Sequence, residues 1–194
     1  MIYLLEGKRV FLRAIERDDL PKIREWYNDY GMRGVWVGGY NPMSAERFEQ
    51  ERFVDTSDDK RRRLAVVLKK TGELIGSVTY QIGDFNSAEI GIAIGEEKFR
   101  RGGYGTEASQ LLLKICFLEE NFHKLSLWTG GWNIPAQKLA ESLGFKLAVR
   151  IRKGFMRGGE WHDALFYDML REEYLERYGN DRRRDNKSEN NRAI

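Results

Sequence analysis

Residues 63 to 94 constrain the fold more than any other part of the chain. "RLAVVLKKTGELIGSVTYQIG" reads as two apolar strands joined by a turn at Thr71-Gly72, and "AEIGIAI" (88 to 94) as a third after the polar link Asp84-Phe85-Asn86-Ser87. Short apolar runs bounded by glycine, aspartate and asparagine are strand signals. A parallel pair needs a crossover of a dozen or more residues, and neither link is that long, so the three strands are expected to pair antiparallel. A sheet is therefore expected in the middle of the chain.

Other segments alternate around it. "RVFLRAI" (9 to 15) reads as a strand, and "RDDLPKIREWYNDY" as a helix capped by Asp18 with Leu20, Ile23 and Tyr27 along one face. "GMRGVWVGGYNP" is irregular and aromatic, and "SAERFEQERFVD" is a second helix capped by Ser44. Downstream, "TEASQLLLKICFLEE" places Ala108, Leu111, Leu112, Ile115 and Leu118 at helical spacing, and "KLSLWTG" (124 to 130) is a strand. "NIPAQKLAESLGF" is a helix with Asn133 as cap and Gly144 just past its end, and "KLAVRIRKGFMRGGEWHDALFYDML" is a hairpin turning near Gly158-Gly159. The class is α+β. One domain is expected over residues 1–179, followed by a disordered tail, 180–194, that is almost devoid of apolar residues.

A net charge of +3 is too mild to imply nucleic acid, and the runs Lys60-Arg61-Arg62-Arg63 and Arg182-Arg183-Arg184 are assigned to solvated loop or tail. The single cysteine, Cys116, permits no internal disulfide and is expected in the core. His123 and His162 lack metal-ligand spacing, so no metal is expected. "MIYLLEGKRV" holds only a short apolar run with no cleavage-like site, which fits neither a signal peptide nor a membrane span. A soluble, cytoplasmic protein is the expectation.

"FRRGGYGTEA" (99 to 108) sits between a strand and a helix. Glycines there let backbone N–H groups turn inward, and a helix start adds donors and partial positive charge, an arrangement suited to phosphate. No Gly-Lys-Ser or Gly-Lys-Thr occurs, which excludes a P-loop. Gly103, Gly105 and Ala108 spell a dinucleotide fingerprint, yet seven residues separate the strand-side Gly95 from Gly103 and the preceding strands are antiparallel, so that reading is disfavoured.

The order "AEIGIAIGEEKFRRGGYGTEA", an apolar helix, a strand, then "NIPAQKLAESLGF" resembles the GNAT superfamily of acetyl-CoA-dependent N-acetyltransferases. Arg100, Gly103 and Gly105 match its [QR]-x-x-G-x-[GA] motif, and Asn133, Ala136, Gly144 and Phe145 match its downstream pattern. "EGKRVFLRAIERDDLPKIREWYND" and "RIRKGFMRGGEWHDALFYDMLREE" are similar to the branch holding ribosomal-protein N-terminal, spermidine and some amino-sugar and antibiotic N-acetyltransferases. The resemblance implies a GNAT fold: a mixed, mostly antiparallel sheet splayed between its middle strands and flanked by helices.

It also implies that acetyl-CoA is the cosubstrate. The backbone of Ile92, Ala93 and Ile94 would pair with the pantetheine arm, and Arg100, Arg101, Gly102, Gly103, Tyr104, Gly105 and Thr106 would wrap the pyrophosphate. Asn133 and Lys138 match positions that often touch the cofactor, although Asn133 as a cap and Lys138 as a solvated lysine are alternative readings. Glu89, alternating with Gly91 and Ala93 on a face of small residues opposite Ile90, Ile92 and Ile94, is the candidate base; a solvent-facing or ion-paired glutamate is the competing reading. Glu107 is explained by the dipole of its helix.

Family members commonly carry a tyrosine acid where this chain has Ala140. Departure of the thiolate without help, another tyrosine such as Tyr40, or a catalytically silent acyl-CoA-binding module are the open alternatives. The acceptor is expected to be a primary amine: a protein or peptide N-terminus, a polyamine or an amino sugar. Residues 16 to 59 hold 11 acidic and 6 basic residues, with Trp26, Trp36 and Tyr40 as flat surface, which would suit a cationic amine; ordinary solvated helix faces explain the same counts. A homo-oligomer is open to the chain, no membrane partner is expected, and a nucleic-acid role for the arginine tail ranks last.

Overall fold

The computed structural model describes residues 5–29, 32, 42–51 and 60–179. Trp36, Tyr40, the end of the second expected helix and the tail lie outside the described residues. In chain order the elements are β1 (Leu5–Glu6), β2 (Val10–Ala14), α1 (Leu20–Asn28), α2 (Ala45–Glu49), β3 (Arg61–Leu68), β4 (Leu74–Ile82), β5 (Ser87–Ile94), α3 (Tyr104–Lys114), β6 (Lys124–Gly130), α4 (Ile134–Leu143), β7 (Lys146–Arg157), β8 (Glu160–Leu170) and α5 (Arg171–Tyr178).

Among the described residues, eight strands form one sheet in the order β1-β2-β3-β4-β5-β6-β8-β7. The short links do force β3, β4 and β5 into an antiparallel meander. Among the described strands only β5 and β6 run parallel, joined by the crossover through α3. One face of the sheet, with Val66, Val78, Ile90, Leu125 and Tyr167, packs on Leu112, Leu113, Cys116 and Phe117. Full burial of each such large side chain is worth about 1.5–3 kcal/mol over leaving it in water. Cys116 is buried there and its thiol is pushed far up by desolvation, then by Glu120, so it is a packing residue.

Three local expectations change. Lys60 to Arg63 is not loop: Arg61 opens β3. Residues 171–178, for which the sequence reading assigns no element, form α5, started by the Glu173 carboxylate accepting from the Leu170 N–H at 2.8 Å. Asp18 does not cap α1, because residues 17–19 form a 3-10 turn ahead of it. Asp19 instead takes the Arg13 guanidinium through both oxygens, at 2.5 and 2.8 Å, and the Glu16 N–H at 2.8 Å. Elsewhere Ser44 accepts from Arg47 N–H and Gly144 ends α4 in a left-handed conformation, as their residue types suggest.

The Arg13–Asp19 pair fixes the path from β2 into α1, and α1 then lies over the end of β5. A Cβ on Gly95 would fall 2.0 Å from the Trp26 ring, so only glycine admits that contact. Lys22 reaches Glu96 at 2.6 Å, and Asn28 clamps both backbone groups of Met43 at 2.9 Å, holding α2 beside α1.

Burial acts to raise the Asp19 carboxyl, but the Arg13 bonds and the Glu16 N–H outweigh it and hold it below the ordinary carboxylate range. A depressed folded value means that stability is present at neutral pH and lost as pH falls through it. Asp19→Asn is expected to cost about 2 kcal/mol at pH 7. The gap from wild type should narrow below about pH 4, as read from urea midpoints at pH 7 and pH 3.

Candidate active site

β5 and β6 pair only through Ser87–Lys124, Ala88–Leu125 and Glu89–Ser126. Beyond that row the strands part. Each keeps its outer partner, β4 for β5 and β8 for β6, so the inner backbone edges from Gly91 to Ile94 and from Leu127 onward face the gap. The gap opens into a cleft of about 1540 Å³. Of the predicted site residues, Glu89, Ile92, Ala93, Ile94, Arg100, Arg101, Gly103, Gly105, Thr106, Asn133 and Lys138 all line it, whereas Gly102 and Tyr104 do not.

The glycine loop forms one end of the cleft. Gly103 caps α3 in a left-handed conformation (φ 79°), and Arg101 shares that region (φ 62°). Glu107 N–H is bonded to Gly103 C=O at 3.1 Å, so the N–H groups ahead of it are those that a helix cannot satisfy internally. Gly105 differs from Gly103. It lies within α3 at ordinary φ, and a Cβ there would meet Ile94 and Ile92 at 3.6 and 3.8 Å, which is normal contact. The fold itself has no need of glycine at 105.

Two charged side chains hold the loop in ways that spacing alone does not reveal. Arg100 Nε donates to Ile94 C=O at 3.2 Å and its Nη2 to Gly95 C=O at 2.6 Å, with Met32 sulfur beside it. It ties the loop to the end of β5. Glu107 accepts from the backbone N–H groups of Arg9 (2.6 Å) and Val10 (3.2 Å) and from Arg9 Nε (2.9 Å), while Arg9 Nη1 donates to Gly102 C=O at 2.8 Å. The Arg9 guanidinium also lies 4.7 Å from the Tyr104 ring. Burial acts to raise the Glu107 carboxyl, but these donors outweigh it and hold it below its ordinary range. Glu107 is thus a latch to β2 as well as a first-turn acid.

Asn133 caps α4 by accepting from Ala136 N–H at 3.3 Å, and Lys138 is exposed one turn on. Ala140, buried at 1%, lines the cleft wall. Thr129, which the sequence does not single out, is 2% exposed on that wall, and its hydroxyl has no hydrogen-bond partner among the described residues.

Glu89 sits at the apex where the strands part. Exposed to the cleft but ringed by protein, its carboxyl is raised above the ordinary range by lost hydration, with Arg61 working against that rise. Register places Arg61, Gln81 and Glu89 in one cross-strand row and Arg63, Thr79 and Gly91 in the next, all lining the cleft. α1 and α2 contribute an apolar wall, including Leu20, Ile23, Tyr27 and Phe48. None of the described acidic residues between 16 and 51 lines the cleft, and Trp26 is buried against Gly95. Among the described residues no cluster of His, Cys, Asp and Glu is arranged to hold a metal, and no helix is long and apolar enough to cross a membrane.

A splayed parallel pair with a glycine-rich helix start at its mouth defines an acyl-CoA-type transferase fold. Residues 9–146 match the family model of the acetyltransferase (GNAT) domain, and the chain belongs to that family. YnaD of Bacillus subtilis (strain 168), named an uncharacterized N-acetyltransferase, is 26% identical over 169 residues, which is 86% of this chain and 96% of that protein. YdaF of the same organism, provisionally named a ribosomal N-acetyltransferase, is 25% identical over 178 residues, 87% and 94% of the two chains. The crystal structure of spermidine N-acetyltransferase from Vibrio cholerae in complex with CoA and spermine is 26% identical with a TM-score of 0.80, over 87% of this chain and 99% of that one. The chain is accordingly an N-acetyltransferase of the GNAT family.

The two loop glycines should respond oppositely to alanine. Gly103→Ala places a Cβ in the left-handed region, 3.1 Å from Arg9, and should cost about 1–2 kcal/mol. Gly105→Ala should stabilise the fold by about 0.5–1 kcal/mol through helix propensity. Urea midpoints at constant slope measure both.

Proposed function

We infer that this protein moves an acetyl group from acetyl-CoA to a primary amine, with the cofactor lying between β5 and β6 and its pyrophosphate on the loop from Arg100 to Thr106. The observation that carries this reading is the parting of β5 from β6 after Glu89–Ser126, which leaves hydrogen-bonding edges facing one cleft. Such groups need partners, and an amide-bearing arm would supply them along Ile92, Ala93 and Ile94. Gly105, glycine without a structural need, and the Thr129 hydroxyl, unpartnered among the described residues, fit a ligand packed closely at the same place. Asn133 and Lys138 would approach its far end.

Acetyl-CoA supplies a thioester whose thiol, with a pKa of about 8.5, is a fair leaving group. The residues supply the rest. An alkylamine is mostly protonated at neutral pH, its pKa being about 10, so a group at the apex must take a proton before attack. Glu89, raised by desolvation, is a stronger base than a solvated glutamate and faces the point where acceptor and thioester would meet. Backbone N–H groups on the open edge of β5 would polarise the thioester carbonyl. With alanine at 140 no tyrosine stands at the family's acid position; in this reading the thiolate leaves without a protein acid.

Thiol release from acetyl-CoA with a panel of peptides, polyamines and amino sugars tests this reading, and no release with any amine would overturn it. Glu89→Gln should lower kcat/KM by roughly 10²–10⁴-fold. It should also remove the acidic limb of the pH profile, which in wild type rises as Glu89 loses its proton above the usual glutamate range. An unchanged profile would remove Glu89 from the mechanism. Because the folded pKa is raised, the stability Glu89 contributes is present in acid and lost as pH rises through that value. Glu89→Gln should therefore keep or raise the melting temperature at pH 7, which separates lost activity from lost fold. Gly105→Ala should weaken CoA binding while the fold gains stability.

A further inference from the structure

We propose that the Thr129 hydroxyl donates a hydrogen bond to the cofactor's sulfur and steadies the thiolate as it leaves, a catalytic role for a residue of β6; this rests on the transferase reading above and names the group that meets the sulfur. Thr129 lines the cleft at 2% exposure, and its hydroxyl has no hydrogen-bond partner among the described residues. A hydroxyl buried without a partner is costly. Valine has nearly the same shape without that cost, so the hydroxyl is explained by something that enters the cleft.

Strand geometry aims it. Side chains alternate along β6, so Thr129 shares a face with Leu125 and Leu127, which pack on the α3 side of the sheet. Glu89 points to the opposite face, because on β5 it alternates with Ile90, Ile92 and Ile94, which join that α3-side core. Counting on from the last paired row, Glu89–Ser126, puts Thr129 level with Ile92, about 10 Å along the strand. That is the inner end of the edge assigned to the pantetheine arm, where a thioester entering past the Arg100–Thr106 loop would come to rest. The Glu89 side chain, the attacking amine and the carbonyl between them can cover the interval. Pairing with Leu165 of β8 fixes the Thr129 backbone, and a β-branched side chain has few rotamers.

Ala140 supplies the second reason. Buried on α4, it lines the same cleft and belongs to the same core cluster as Leu125, and its methyl group has no proton to offer a sulfur. Leu112, Leu127, Leu139 and Leu143 line the cleft as well. A thiolate forming against such a surface is poorly hydrated, and one hydroxyl is worth more there than in water. In the step itself the amine attacks and a C–N bond forms; the C–S bond breaks and its electron pair stays on sulfur. The acceptor arrives as an ammonium ion and loses two protons, one before attack and one after, both through Glu89 to water. The thiolate takes one proton back from water. Thr129 keeps its own proton throughout and acts only as a donor.

The test titrates the thiol of CoA bound to the full chain, followed by thiolate absorbance in the ultraviolet and read against the desulfo-CoA complex, which cancels the protein's own titration. Thr129→Val should lower the ionisation constant of the bound thiol about 10-fold, the effect of one charge-assisted hydrogen bond, and leave calorimetric affinity for desulfo-CoA unchanged. With an amine that turns over, it should lower kcat about 10-fold with little change in KM, and Thr129→Ser should keep most of both effects of the hydroxyl. The melting temperature of the valine variant should equal or exceed that of wild type. An unchanged ionisation constant would overturn the proposal. So would equal weakening of CoA and desulfo-CoA, which would place the contact on the arm, or a valine variant that fails to fold, which would reveal a structural partner. A lowered ionisation constant with no thiol release from any amine supports the sulfur contact and counts against the transferase reading alone. Thiol release that valine leaves untouched overturns the proposal and spares that reading, and no binding of CoA overturns both.

Discussion

Two parallel strands that begin to pair and then separate are the constraint on which the rest of the molecule depends. A strand edge with no neighbouring strand is costly where it is buried, and the sheet tolerates one here because β5 and β6 each keep a full ladder on the outer side and Arg100 donates to the Ile94 C=O. Three rows of pairing hold them at one end. At the other, α3 leaves the sheet from the end of β5 and α4 leaves it from the end of β6, so the two helices wall the widening gap. The cleft is a product of topology, and its chemistry comes from what alternation puts on its floor.

The meander, the helices and the hairpin were legible because their links are short and their apolar spacing is regular. The loop motif and the Asn133 helix identified the family for the same reason: glycine and a capping asparagine have few jobs, and their order restricts which job. What escaped depended on partners distant in sequence. Arg9 and Glu107 lie 98 residues apart, and nothing near either hints at the other. Asp18 looked like a cap because the local pattern fits one, but Arg13 draws Asp19 into an ion pair and a 3-10 turn intervenes. The run Lys60 to Arg63 looked like solvated loop because four consecutive charges usually are. Strand geometry sends alternate members to opposite faces, which turns part of a charge run into the lining of a site.

Among the described residues the acidic surplus of the segment from 16 to 59 does not reach the cleft. Between residues 16 and 51 the described acids lie away from the cleft, several paired with neighbouring bases such as Arg13, Arg17 and Arg47, and the wall that α1 and α2 present is apolar. Summed charge speaks to a whole surface, whereas a site responds to the few side chains whose register aims them inward. The spermidine N-acetyltransferase from Vibrio cholerae shares the architecture.

The clasp between Arg9 and Glu107 also bears on how the site comes into being. The loop at the start of α3 is tied to the chain beside β2 by these contacts, a closure spanning about half the chain. Loops completed by such distant contacts are governed by global folding more than by local propensity. A chain that has lost the β1–β2 edge would keep the motif in its sequence, yet lose the Arg9 and Val10 contacts that hold the loop. The shape of the loop then becomes a report on whether the sheet, out to that edge, has been assembled.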